Sequence, residues 1–274
     1  MNINSTVLLD NGVDIPILGF GTYQSKAGNE TQNAVRLALD YGYRHIDTAA
    51  IYGNENDVAK AIQDSKVDLN DLFITTKVWN ADQGYDNTLK ALDQSLLKLN
   101  MDYVDMYLVH WPQPGLRLDT WKAMMTIYEQ GKARAIGISN YTEKHIDELL
   151  IDSPIVPGVN QIEMTPYLYQ KELAEHCLKN RIQIESYSPL TQGKKINEPR
   201  LVALANKYGK TAGQMLIRWS IEHNFIVLPK SATAERIKEN AEVFDFSITK
   251  EDLDFMDSWD ENFRVSWNPY NLQE

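Results

Sequence analysis

Cysteine, long apolar runs and positive charge are all scarce in this chain. Cys177 is the single cysteine among 274 residues. That excludes an internal disulfide and a cysteine-rich metal site, and it fits a reducing compartment. Cys177 follows Leu173 by four residues, on one face of a predicted helix, so a buried thiol is expected rather than a nucleophile. No run reaches the roughly 18 apolar residues that a membrane span needs. The opening MNINSTVLLDNG lacks the basic-then-hydrophobic order of a secretion signal. A cytoplasmic protein without membrane association is therefore expected. Lys and Arg total 27 against 38 Asp and Glu, a formal charge of -11. Such a balance argues against a nucleic-acid partner, although a few local cations can still form a pocket for an anionic small molecule.

What is present is a repeating alternation. VLLDNGVDI flanks Asn11-Gly12 with apolar residues, which predicts a tight β-hairpin. Eight strand-like runs follow: ILGFGTY, RHIDT, LFITTKVW, YVDMYLVHW, ARAIGISN, GVNQIEM, IQIESYS and FIVLPKS. Most are near-continuously apolar, as parallel strands covered by helices are. Between them lie helical patterns, including a stripe of Leu89, Leu92, Leu96 and Leu99 and a helix opening near Asn197 and Pro199. GFGTY lacks the GxGxxG spacing that would favour an open doubly wound sheet. The reading is an α/β protein, a (β/α)8 TIM barrel whose amino-terminal hairpin covers the bottom, with residues 1–274 as one domain.

Barrels of this kind do their chemistry at the carboxyl-terminal strand ends, and polar residues gather there. Asp47, Tyr52, Lys77 and His110 fall at or just past the ends of consecutive strands. A carboxylate inside an apolar strand needs a partner, and Lys77 is the natural one. A phenol beside that ammonium is expected to have its pKa drawn down, so that Tyr52 can pass a proton to a carbonyl oxygen. His110 can orient and polarise the same carbonyl. His145, His176 and His223 lie in helical stretches and are expected to be structural. His45, Asp47 and His110 superficially suggest a metal site, but Lys77 would repel a cation, and no metal is expected. None of these groups is redox-active, so a reduction would need hydride from a cofactor. Ser139, Asn140 and Gln161 at later strand ends can hold a carboxamide, and Tyr187 can stack on a flat ring. Lys230 and Ser231, with Arg236 and Asn240 one turn apart on the next helix, read as a phosphate pocket.

Taken together, GFGTY, YGYRHIDTAAIYGNE, ITTKVWN, YLVHWP, IGISNY, NQIEMTPY, SYSPL, LPKSATAERIKENAEVFDF and SWNP resemble, in order, the signatures of the aldo-keto reductase superfamily. The likeness is strongest to its small bacterial branch of 2,5-diketo-D-gluconate and glyoxal or methylglyoxal reductases. The resemblance implies NADPH-dependent reduction of aldehydes and reactive ketones, with Tyr52 as general acid assisted by Lys77 and Asp47, and His110 orienting the substrate. It implies cofactor contacts from Gly21, Thr22, Asp47, Ser139, Asn140, Gln161, Tyr187, Ser188 and Leu190. Lys230, Ser231 and Arg236 would meet the 2′-phosphate, and Glu239 and Asn240 the adenine end. Having both Lys230 and Arg236, the chain is expected to prefer NADPH over NADH. Tyr23, Trp79, His110, Trp111 and Trp267 would line the substrate pocket. A short SPLTQGKKINEP loop and a modest tail imply an open pocket with broad tolerance, and the family suggests a monomer. The alternative that the resemblance permits is an NADPH-binding sensor or partner subunit with little turnover.

Overall fold

Gly12 takes φ +82°, which its missing Cβ leaves open, and the chain reverses there between Leu9 and Val13. Strands β1 (Thr6–Leu8) and β2 (Asp14–Pro16) pair antiparallel on either side, with Val7 opposite Ile15. In the computed structural model residues 1–272 are described; the last two positions of the expected 1–274 domain lie outside the described residues.

Eight parallel strands then follow in chain order: β3 (Gly19–Gly21), β4 (His45–Asp47), β5 (Phe73–Val78), β6 (Val104–Val109), β7 (Ala133–Ser139), β8 (Val159–Glu163), β9 (Gln183–Tyr187) and β10 (Ile226–Leu228). Each pairs with its sequence neighbour. The ends of the sheet also meet: Val227 donates its N–H to the Ile17 carbonyl at 2.9 Å, and Gly21 donates to Pro229 at 3.1 Å. The sheet is thus closed into a barrel without a free edge. Every residue of β5 and β6 is buried, because one face of each strand meets the barrel interior and the other meets helices. The hairpin covers the amino-terminal ends of the strands. Asn11 donates to the Arg134 carbonyl in early β7 at 3.0 Å, and Asp10 pairs with Arg181 just before β9 at 3.0 Å.

The outer helices are α1 (Asn29–Asp40), α2 (Glu55–Asp64), α3 (Tyr85–Leu99), α4 (Arg117–Glu129), α5 (Glu143–Leu150), α6 (Lys171–Lys179), α7 (Pro199–Tyr208), α8 (Ala212–Glu222), α9 (Ala234–Ala241) and α10 (Lys250–Asp257). Leu92, Leu96 and Leu99 form the buried stripe of α3, which ends at Asn100 in the left-handed conformation. Helix α7 begins one residue later than Asn197 would place it. Its cap is Glu198, whose carboxylate accepts the Leu201 N–H at 3.0 Å, with Pro199 at the first helical position. Helix α10 was not expected from the sequence; Thr249 caps it by accepting the Asp252 N–H. Cys177 is buried in α6, and burial pushes its thiol up to about 12, an inert core position.

Candidate active site

In the barrel register Asp47 at the end of β4 lies opposite Thr75 in β5. Lys77, two residues further along β5, turns its side chain to the same face and reaches back to Asp47. Its Nζ lies 2.7 Å from both carboxylate oxygens and donates to the Thr48 carbonyl at 2.8 Å. Three donors meet three acceptors, which allows an ammonium to be fully buried. Gln161 in β8 also donates to Asp47, at 2.9 Å, and spends its second N–H on Glu185 of β9 at 2.8 Å. No hydrogen bond to its Oε1 is made by the described residues. Ser139, ending β7, donates to the Gln161 carbonyl at 2.7 Å. Asn140 donates to the His110 carbonyl at 3.0 Å and accepts from the Tyr187 hydroxyl at 2.8 Å. Asn140 (φ +63°) and Ser188 (φ +50°) both hold left-handed backbone, a conformation that clusters where strand ends serve a site.

Tyr52 stands on a one-turn 3₁₀ helix (Ala50–Tyr52) after β4, with its ring 5.1 Å from Lys77 Nζ and edge-on to His110 at 5.7 Å. Its pKa is not drawn down. Burial pushes the phenol well above its ordinary value, and the Asp47 carboxylate pushes the same way. The physical reason is that the Lys77 charge is already matched by Asp47, so the phenol meets an ion pair rather than a bare cation. His110, just past β6, is held well below the ordinary histidine value by burial and by Lys77. It is a neutral imidazole with Nδ1 unpartnered. Both groups therefore keep the forms suited to donating hydrogen bonds to a neutral ligand at pH 7.

Around this pair stands an aromatic mouth. Trp79 lies edge-on to His110 at 5.1 Å, Trp267 lies 6.4 Å from Trp79 and 5.4 Å from Trp111, and Tyr23 lies 5.0 Å from Tyr52. All five expected pocket residues are thus brought together.

A second polar group continues along the rim. Thr22 donates to the Asp47 carbonyl at 3.0 Å, while Gly21 lies against Pro229 and Lys230. Lys230 donates to the Gln24 carbonyl at 3.2 Å, and the buried Ser231 hydroxyl accepts the Thr233 N–H at 3.3 Å, ahead of α9. Arg236 and Asn240 do not share one environment as their spacing suggests. Arg236 is exposed, whereas Asn240 turns inward with Glu239 and Leu190 toward Gly213 at the start of α8. Neither Lys230 nor Arg236 has a carboxylate partner among the described residues. Two unmatched cations on one rim of a chain with charge -11 fit a phosphate-bearing ligand, and the free acceptor on Gln161 fits a carboxamide. The residues present therefore suit a dinucleotide such as NADPH.

Three residues close to this rim escaped the reading of the sequence: Glu163, Glu185 and Gly213. The first two sit in NQIE and IQIE, apolar strands interrupted by a carboxylate, the same signal that marks Asp47. His145 completes a capping box on α5 with Thr142, His176 lies 2.9 Å from Asp147 and His223 lies 2.9 Å from Asp257, all outside the rim.

Comparison with known proteins agrees with this geometry. Glyoxal reductase of Bacillus subtilis (strain 168) is 45% identical over 271 residues, 99% of this chain and 98% of that protein. An aldo/keto reductase crystal structure from Brucella melitensis is 46% identical with a TM-score of 0.90, covering 93% of this chain and 99% of that one. The Bombyx mori aldo-keto reductase in complex with NADP has a TM-score of 0.90 at 36% identity, covering 97% of this chain and 96% of that one. Residues 17–261 match the Aldo/keto reductase family. On barrel, rim and relatives alike, the chain belongs to the aldo/keto reductase family.

Proposed function

We propose that the protein reduces small aldehydes and dicarbonyls to alcohols at the expense of NADPH, with Tyr52 as the proton donor. The observation that carries this reading is the convergence on one rim of a protonated, buried Tyr52, a neutral His110 and the closed Lys77–Asp47 pair. NADPH supplies the hydride. Tyr52 hydrogen-bonds the carbonyl oxygen and releases its proton to that oxygen as negative charge develops there. Its raised pKa keeps the proton in place until that moment. His110 offers its one N–H to the same oxygen and fixes the direction of approach. Lys77 and Asp47 hold this constellation at fixed distances and exclude water beneath the phenol.

The remaining rim residues are assigned to the cofactor. Ser139, Asn140 and Gln161 would hold the carboxamide, and Tyr187 would stack against the nicotinamide. Gly21, Thr22, Ser188 and Leu190 line its path, Lys230, Ser231 and Arg236 take the 2′-phosphate, and Glu239 and Asn240 the adenine end. Tyr23, Trp79, Trp111 and Trp267 receive the substrate. Likeness to glyoxal reductase supports a small dicarbonyl among the substrates, and the NADP complex of the Bombyx mori relative supports the phosphorylated cofactor. The protein is further proposed to act as a cytoplasmic monomer.

Absorbance at 340 nm, followed with NADPH or NADH and a carbonyl panel, tests the assignment. The expected result is NADPH-dependent turnover, with Tyr52→Phe lowering kcat by about 10²–10⁴-fold while the Kd for NADPH stays within about twofold. Tight binding without turnover across the panel would favour a sensor or partner subunit. Undiminished turnover in Tyr52→Phe would remove the assigned acid.

A further inference from the structure

The last residue of β8 carries a buried carboxylate that the proposed chemistry does not use. Glu163 accepts the Val265 N–H at 2.7 Å on one oxygen and the Ser266 N–H at 3.0 Å on the other. Two successive backbone amides of the carboxyl-terminal tail are thus held by one side chain from the barrel rim. The Glu163 carbonyl accepts from Gln170 at 2.7 Å, and Gln170 in turn accepts from Arg264 at 2.9 Å. Two flanking attachments complete a strap over the barrel mouth. Upstream, Glu261 and Phe263 donate their N–H groups to the Tyr167 carbonyl at 3.2 and 2.9 Å. Downstream, the Leu272 carbonyl bonds His145 at 3.2 Å, and the Tyr270 hydroxyl donates to Glu143 at 3.0 Å, both on α5.

Trp267 is the first residue past the grip of Glu163. It is 62% exposed, so burial does not fix its place; the backbone on either side must. Its ring nevertheless meets Trp111 and Trp79, the latter edge-on to His110. Between Ser266 and Tyr270 no hydrogen bond ties the strap to the barrel among the described residues, so its nearest anchors are Glu163 on the Val265 and Ser266 amides and a side-chain hydrogen bond between Ser266 and Tyr187 of β9.

We infer that Glu163 is a specificity-determining positioning residue: by clamping the Val265 and Ser266 amides it sets Trp267 as one wall of the mouth, and so raises the preference for aromatic over aliphatic carbonyl substrates. This rests on the reductase reading above. A carboxylate suits the task because its two oxygens can accept from two adjacent N–H groups at once. A glutamine keeps one acceptor and puts an NH₂ against the other amide.

The test compares kcat/KM for 4-nitrobenzaldehyde and for methylglyoxal in wild type, Glu163→Gln, Glu163→Ala, Trp267→Ala and Glu163→Ala/Trp267→Ala. Thermal unfolding confirms that each variant is folded. The ratio of the two specificities is expected to fall about tenfold in Glu163→Ala, on the scale of one aromatic contact, mostly through KM. Glu163→Gln should fall between Glu163→Ala and wild type. The double variant should match Trp267→Ala, because the two residues act on one contact. Hydrogen exchange of the peptide spanning 263–268 should quicken in Glu163→Ala. An unchanged ratio, or losses that multiply in the double variant, overturns the positioning role while leaving the reductase intact. A wild-type protein that reduces neither aldehyde overturns the reductase reading and this inference with it.

Discussion

Beneath Asp47 and Lys77 the barrel interior holds two further ionisable side chains, and their protonation follows from burial rather than from residue type. Glu185 is pushed up to about 8 by burial and by the nearby Asp47 charge, against the opposing pull of Gln161 and Lys77. His45 is held down to about 3 by burial and by Lys77, with Thr75 at 3.0 Å and Glu185 at 3.7 Å. At neutral pH both are uncharged, so the one ion pair in this layer is Lys77–Asp47. Folding stability then depends on pH with two opposite slopes. The unfolded chain protonates His45 below about 6.5 while the folded chain does not, so stability is lost as pH falls from there toward 3. For Glu185 the folded chain keeps a proton that the unfolded chain releases above about 4.3, so stability is lost as pH rises toward 8. Each slope approaches ~1.4 kcal/mol per pH unit. Between about pH 4.5 and 6.5 the two slopes nearly cancel, so urea unfolding of wild type should show its midpoint falling only between about pH 6.5 and 8. Glu185→Gln keeps an acceptor for Gln161 and should flatten that fall; an equally steep decline in the variant would contradict the assignment.

Single elements are held by close backbone approach as much as by side chains. Gly137 in β7 pairs with Leu108 in β6, and a Cβ there would lie 2.7 Å from Leu108 Cδ2 and 2.9 Å from the Val159 carbonyl. One contact is with backbone and cannot swing aside. Gly137→Ala should therefore destabilise by about 1–3 kcal/mol, read as a lower urea midpoint with unchanged slope. At this scale much was legible. All eight apolar runs became barrel strands, because a strand buried on both faces must be apolar along its length. The runs exceed the paired ladders, as FIVLPKS exceeds Ile226–Leu228, since flanking residues pack without pairing. Helix α10 was missed because only Asp252 and Met256 of its residues are buried, which leaves little apolar period to see. The Thr249–Asp252 cap was its available signal.

Across the whole molecule, the two parts of the second rim group, Gly21–Thr22 and Lys230–Asn240, lie at opposite ends of the chain and meet only because the first and last strands close the barrel. A ligand that spans both parts links folding to binding. NADPH at about a hundred times its Kd should add ~2.7 kcal/mol, raising Tm by several degrees. NADH should give a smaller rise, because Lys230 and Arg236 would then face no 2′-phosphate. Equal shifts from the two cofactors at equal concentrations would contradict the role assigned to those cations.

Local pattern alone determined the eight βα units, the hairpin at Asn11-Gly12 and the polar residues at the strand ends, because periodicity, turn chemistry and spacing are properties of neighbouring residues. Tertiary structure decided the protonation states. Tyr52 is raised rather than lowered, and Glu185 is raised while His45 is lowered, because charge in a low-dielectric interior depends on which partners arrive and at what distance. Tertiary structure also decided the strap, since Glu163 meets Val265 and Ser266 across 102 and 103 residues of chain. No local pattern encodes a contact of that range; it exists because the closed barrel brings the end of β8 beneath the tail.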